Sequence, residues 1–151
     1  MSQNEKATGR PFEQIEVGES FARSQTVTET HVVLAAGLFG DFAPLHVDEE
    51  YAKDTRFGTR IAHGTLTTGI MAAALSSHFH GTSIGYLEQD VRFLAPVYPG
   101  DTVTSEWTVL DAVEKAKLGG GIVSMKVECR NQDGTILLEG TAKAIIRTLA
   151  R

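Results

Sequence analysis

Residues 61–81 read Ile61-Ala62-His63-Gly64-Thr65-Leu66-Thr67-Thr68-Gly69-Ile70-Met71-Ala72-Ala73-Ala74-Leu75-Ser76-Ser77-His78-Phe79-His80-Gly81, and this stretch decides the fold. Between its apolar residues stand mostly Gly, Thr and Ser, with no Asp, Glu, Lys or Arg. A helix without a charged face has no water-facing side. The run is shorter and more polar than the roughly 20 apolar residues a membrane span needs. It is therefore expected inside the protein, where its small residues let backbones approach closely.

Downstream of this helix the chain reads as strands, over residues 83–97, 101–112, 121–130 and 135–148. Val103, Ser105, Trp107 and Val109 share one face against Thr102, Thr104, Glu106 and Thr108; Val123, Met125, Val127 and Cys129 repeat the alternation of a half-buried strand. Asn131-Gln132-Asp133-Gly134 reads as a hairpin turn, Pro99-Gly100-Asp101 as another, and Gly119-Gly120-Gly121 as a flexible turn. Before the helix come a short strand within residues 18–30 containing Phe21 and Val27, then a helix over residues 32–39 capped by Thr28 or Thr30 and stopped at Gly40. Residues 41–46 are expected as loop because Pro44 blocks helical continuation. A small surface helix over residues 48–53, with an Asp cap and two Glu in its first turn, completes this half. The fold class is α+β: a curved antiparallel sheet wrapped around one buried central helix.

The 151 residues are 42% hydrophobic, enough for one ordinary domain spanning residues 1–151, behind a polar leader at about 1–12. Fourteen Lys+Arg against 19 Asp+Glu give −5, and the basic residues are scattered, which argues against a nucleic-acid partner. The leader has no apolar stretch behind it, so neither a secretory signal nor a membrane anchor is expected. The lone Cys129 reads as a small buried hydrophobe in a reducing compartment, and the protein as cytoplasmic.

Five histidines raise the question of a metal. His78 and His80 point about 200° apart around a helix axis, and no HExxH or Cys/His pairing exists. Asp41, His46 and His63 form the set that ligand type alone allows, but no metal is expected. His31 and His80 read as polar residues at element ends. Phosphate-loop, dinucleotide and nucleophile-elbow motifs are absent. Asp41 and His46 share a proline-stiffened loop flanked by Phe42, Ala43, Leu45 and Val47, whose apolar side chains would desolvate both toward acid–base use. Loop capping is the plainer alternative. Gly64 opens the buried helix, where unpaired N–H groups favour a developing oxyanion; a glycine needed only for packing is the alternative there.

Three motifs in order, Gly40-Asp41-Phe42-Ala43-Pro44-Leu45-His46, Ile61-Ala62-His63-Gly64 and Gln89-Asp90-Val91-Arg92-Phe93-Leu94-Ala95-Pro96-Val97-Tyr98-Pro99-Gly100-Asp101, resemble the MaoC-like (R)-specific enoyl-CoA hydratases. The resemblance covers about residues 13–147. It implies the hotdog fold and a homodimer whose two sheets join into one. It implies that Asp41, as principal acid/base, and His46, as its partner, hold one water over the double bond of a trans-2-enoyl thioester. The Gly64 N–H would bind the thioester oxygen, with His63 and Thr65 as further substrate-binding positions. The thioester of coenzyme A or an acyl carrier protein would be substrate, with no cofactor, and Lys53, Arg56, Arg60 and Arg92 are the cations available for phosphates. The family's loop usually carries Asn where this chain has Ala43, and Ser or Thr is frequent at Phe39. A hotdog thioesterase and a non-catalytic acyl-thioester-binding protein are the competing readings.

Overall fold

The computed structural model describes residues 8–149; residues 1–7 of the polar leader and residues 150–151 lie outside the described part. The chain runs β1 (Ser20–Thr26), α1 (Glu29–Phe39), α2 (Pro44–Val47), α3 (Glu49–Ala52), α4 (Gly64–His78), β2 (Ser83–Phe93), β3 (Thr102–Lys115), β4 (Gly120–Arg130) and β5 (Ile136–Arg147). All strands pair antiparallel in one sheet of order β1-β3-β4-β5-β2. Register shifts at Ser83/Gly85, Tyr86/Glu88, Val109/Asp111 and Cys129/Arg130 add the local bends that let a sheet curve around a helix.

Alternation along β3 and β4 is as expected: Val103, Ser105, Trp107 and Val109, and Val123, Met125, Val127 and Cys129, all point inward and are buried. They meet Ile70, Met71, Ala74 and Leu75 of α4. Trp107, fully buried, donates its indole N–H to the Met71 carbonyl at 3.1 Å, so its polar atom costs no unpaired group. Burial pushes the Cys129 thiol up from its ordinary value, and its sulfur lies 3.3 Å from the Ser105 hydroxyl.

Three expectations need correction. Pro99-Gly100-Asp101 is a turn, but not a hairpin, because β2 and β3 are not neighbours. The turn is stitched to the end of β1, Val27 N–H to Asp101 O at 2.8 Å and Gly100 N–H to Val27 O at 2.7 Å, and this delivers β3 beside β1. Of the glycine triplet only Gly119 turns, while Gly120 and Gly121 lie inside β4. A Cβ on Gly120 would come within 2.1 Å of the Ile146 carbonyl oxygen and one on Gly121 within 2.2 Å of the Phe12 ring, so close packing selects these residues. Finally, α4 is buried on one face only: Thr67, Ile70, Met71, Ala74 and Leu75 are covered, whereas Thr65, Gly69, Ser76 and Ser77 are exposed. One sheet has one inner face, so the chain alone covers one side of the helix.

The end of α4 is clamped by β1 and the segment before it. The Thr82 hydroxyl donates to Arg10 O at 2.7 Å, Arg10 pairs with Glu19 at 2.5 Å, and the His78 ring stacks on Phe21 at 3.8 Å. Burial holds the His78 imidazole below its ordinary value of 6.5; the Glu19 carboxylate opposes this and the Arg10 guanidinium adds to it. The unfolded chain therefore takes up this proton first, so the contribution is intact above 6.5 and is lost as pH falls below it. His78→Phe keeps the stacked ring and removes the titration. The thermal midpoint of the variant should fall less than that of the wild type between about pH 7.5 and pH 5.5; parallel profiles would show that His78 does not set the slope.

Candidate active site

Helix α1 begins with Thr28 and His31 bonding each other as a capping box and ends at Gly40, whose φ of 70° is left-handed backbone that glycine adopts without a Cβ clash. That turn starts the strand of loop carrying Asp41. The loop is shorter than expected. Pro44 does not block a helix here but opens α2, because a first-turn residue needs no N–H partner and its fixed φ suits the position. His46 thus rides on a helical turn, not on a loop.

Two histidines are locked by backbone carbonyls. His46 Nδ1 lies 2.7 Å from Ile61 O, and His63 Nε2 lies 2.9 Å from Asp41 O. A carbonyl only accepts, so these nitrogens carry the hydrogens and, in the neutral rings, His46 Nε2 and His63 Nδ1 carry the lone pairs. The rings stack at 3.9 Å with planes 28° apart. His46 Nε2 faces Asp41 Oδ2 at 3.9 Å, and Asp41 Oδ1 accepts from Ala43 N–H at 3.2 Å. His63 is 1% exposed and the His46 side chain 13%, but the Asp41 side chain is 48% exposed, so its apolar neighbours do not enclose it within this chain. Asp41, His46 and His63 do converge, with one potential ligand atom each within 4.8 Å of the others. The two rings, however, lie in planes only 28° apart with centroids at 3.9 Å, a poor arrangement for bonding one ion through in-plane lone pairs of both.

Gly64 and Thr65 are exposed at the start of α4, and as its first residues their N–H groups have no intrahelical partner. The approach to α4 is fixed by Ala62 N–H to Val97 O at 2.8 Å and Ile61 N–H to Leu45 O at 3.2 Å. Gly64 and His46 line a cleft of about 250 Å³ whose other walls include Phe57, Ile61, Phe93 and Leu137. Thr65 is not on that wall. The Phe93 ring covers Gly64 closely enough that a Cβ there would sit 3.1 Å from it. Phe57 and Leu137 lie outside the three motifs, and Phe93, inside the third, meets them from a distant part of the chain. A larger hollow of about 600 Å³ lies on the sheet between charged residues such as Asp90, Glu106 and Lys126; Arg92 lines it, but none of Asp41, His46, His63, Gly64 and Thr65 does. An apolar cleft with a few convergent polar groups is the better candidate for a small-molecule site.

A family model described as a MaoC like domain matches residues 12–130. An (R)-specific enoyl-CoA hydratase from Rhodospirillum rubrum is 38% identical over 135 residues, covering 89% of this chain and 90% of the relative. The solved structure of an R-hydratase from Pseudomonas aeruginosa in the unliganded form superposes with a TM-score of 0.82 at 33% identity, covering 91% of this chain and 86% of that one. The (R)-hydratase from Aeromonas caviae involved in PHA biosynthesis does so at 0.79 and 31% identity, covering 89% and 98%.

Ala43 occupies the N-cap of α2 and offers no side-chain bond to it. Ala43→Asn should supply that cap and raise unfolding free energy by about 0.5–1 kcal/mol in urea titration; no gain would mean that the loop is held by its other bonds. Above neutral pH, imidazole ¹⁵N shifts should show opposite tautomers, Nδ1–H for His46 and Nε2–H for His63. The same tautomer in both rings would contradict the geometry.

Proposed function

The chain is a hotdog-fold member of the MaoC-like dehydratase family, and from that premise we propose that it adds water reversibly to trans-2-enoyl-CoA, giving (R)-3-hydroxyacyl-CoA. The observation that carries the reading is the 3.9 Å gap between Asp41 Oδ2 and His46 Nε2 beside the open N-terminus of α4. A water oxygen fits that gap at about 2.8 Å from each acceptor, donating one hydrogen to either side. Its remaining lone pairs are then free for the β-carbon.

In the proposed addition the water oxygen bonds to Cβ while Asp41 takes one of its protons. The electron pair of the double bond moves toward the thioester carbonyl, and the Gly64 N–H, helped by the helix dipole, stabilises the charge on that oxygen. Asp41 then returns the proton to Cα on the same face, so H and OH from one water are both added. His46 Nε2 accepts a hydrogen bond from the second O–H, which stays on the product hydroxyl, and so orients the water. His63 is a positioning residue: buried, it holds the Asp41 carbonyl and stacks on His46 without reaching the cleft. The proposal needs no metal and no cofactor, and coenzyme A enters as part of the substrate.

The same reading includes a homodimer joined along β2 and a cytoplasmic setting. Support for the dimer comes from β2 being an edge strand that exposes Ile84, Tyr86 and Leu87 along its first half, ahead of its charged residues Glu88, Asp90 and Arg92, and from the open face of α4.

Loss of the enoyl-thioester absorbance on mixing crotonyl-CoA with the protein, with (R)-3-hydroxybutyryl-CoA as product, is the expected result. Asp41→Asn and His46→Gln should each lower the rate by roughly 10²-fold or more. Gly64→Ala should remain folded, since the half-exposed Phe93 ring has room to yield, yet lose activity as the added methyl crowds the thioester oxygen. Release of free thiol without hydration would make the protein a thioesterase, and saturable binding without turnover on any chain length a binding module.

A further inference from the structure

Resting on that reading, we propose that Arg56 binds the phosphate end of the pantetheine arm, the feature that coenzyme A and a carrier protein share. Of the four candidate cations, Lys53, Arg56, Arg60 and Arg92, the structure engages three elsewhere. Arg60 pairs with Glu29 and Glu49, each at 3.0 Å, Lys53 pairs with Glu50, and Arg92 pairs with Glu139. Among the described residues Arg56 has no carboxylate partner. Its guanidinium lies over the Phe57 ring, 4.7 Å from the centroid, and it stands on the wall of the same cleft as His46 and Gly64.

The corner presenting it is built firmly. Thr55 donates its hydroxyl to Ala52 O at 2.7 Å and accepts from Phe57 N–H at 3.2 Å, and the Tyr98 hydroxyl donates to Phe57 O at 3.3 Å. The Phe57 ring supports one face of the guanidinium and leaves its N–H edge toward water, the edge that grips phosphate in two parallel bonds. With about 250 Å³ the cleft is smaller than most whole-ligand pockets and suits one segment of a thioester. Among the described residues lining the cleft Arg56 is the one Arg or Lys, and it is exposed.

Calorimetric titration with coenzyme A and with phosphate-free pantetheine, on wild type, Arg56→Ala and Arg56→Lys, tests this without requiring turnover. Arg56→Ala should weaken coenzyme A about tenfold, leave pantetheine unchanged and flatten the salt dependence, with Lys recovering part of the loss. In hydration assays it should raise KM for crotonyl-CoA with kcat within about twofold and leave crotonyl-pantetheine unaffected. A larger KM effect on a crotonyl carrier protein than on crotonyl-CoA would assign the phosphate to a protein carrier, and the reverse to free coenzyme A. Equal weakening of both titrants, unchanged coenzyme A affinity, or no coenzyme A binding by the wild type would overturn the proposal. Coenzyme A binding that depends on Arg56, without hydration of any enoyl thioester, would remove the hydratase reading and leave this one standing.

Discussion

The arrangement depends on one apolar stripe of α4 lying on the inner face of the sheet. Thr67, Ile70, Met71, Ala74 and Leu75 are its buried residues, and the Trp107 indole bonded to the Met71 carbonyl sets how far the helix can slide or turn. A close-packed contact of this kind has few alternatives, because shifting the helix would open voids and orphan the indole N–H. With the stripe seated, the helix start is set as well, and the chain before it must deliver His63 into the interior and Gly64 to the rim.

From there the polar groups hold one another in sequence. His63 is buried against the Asp41 carbonyl, His46 stacks on His63 and is tied to Ile61, and the Asp41 carboxylate closes the set from the solvent side. Each imidazole is oriented by a backbone group that cannot rotate away, which is the kind of support that keeps a site preorganised. The least enclosed member is Asp41, at 48% side-chain exposure. Drying of the site falls to whatever docks on it, a substrate or a second copy.

Much of this could be read from residue patterns. The alternation in β3 and β4 is a local signal with a direct physical meaning, and the missing charge on α4 marks a packed helix although one of its faces stays open, whereas the roles of Asp41 and His46 rest on the family resemblance. Strand order has no such signal. Turn residues after Pro99 mark a reversal but do not say which strand waits on the far side, and β2 finds β5 only through pairing of distant segments. Gly121 is glycine because Phe12 packs on it, a contact between opposite ends of the chain. Pro44 misled because the same ring that breaks a helix interior favours its first residue. Arg56 stands out from Lys53, Arg60 and Arg92 only when their carboxylate partners are seen in space.

The place of β2 in the sheet also bears on how the chain is made. Its partner β5 follows β3 and β4 in the chain, so residues 83–93, with Ile84, Tyr86 and Leu87, emerge from the ribosome before their hydrogen-bonding neighbour in the sheet exists. At roughly 5–20 residues per second the wait lasts seconds, long against the microseconds in which hairpins form. During that interval β3 and β4 can already pair, while β2 stays unpaired, with its apolar residues Ile84, Tyr86 and Leu87 uncovered. An edge that is apolar at one end in the folded chain is thus more exposed still during synthesis, when β5 has not yet covered its other side.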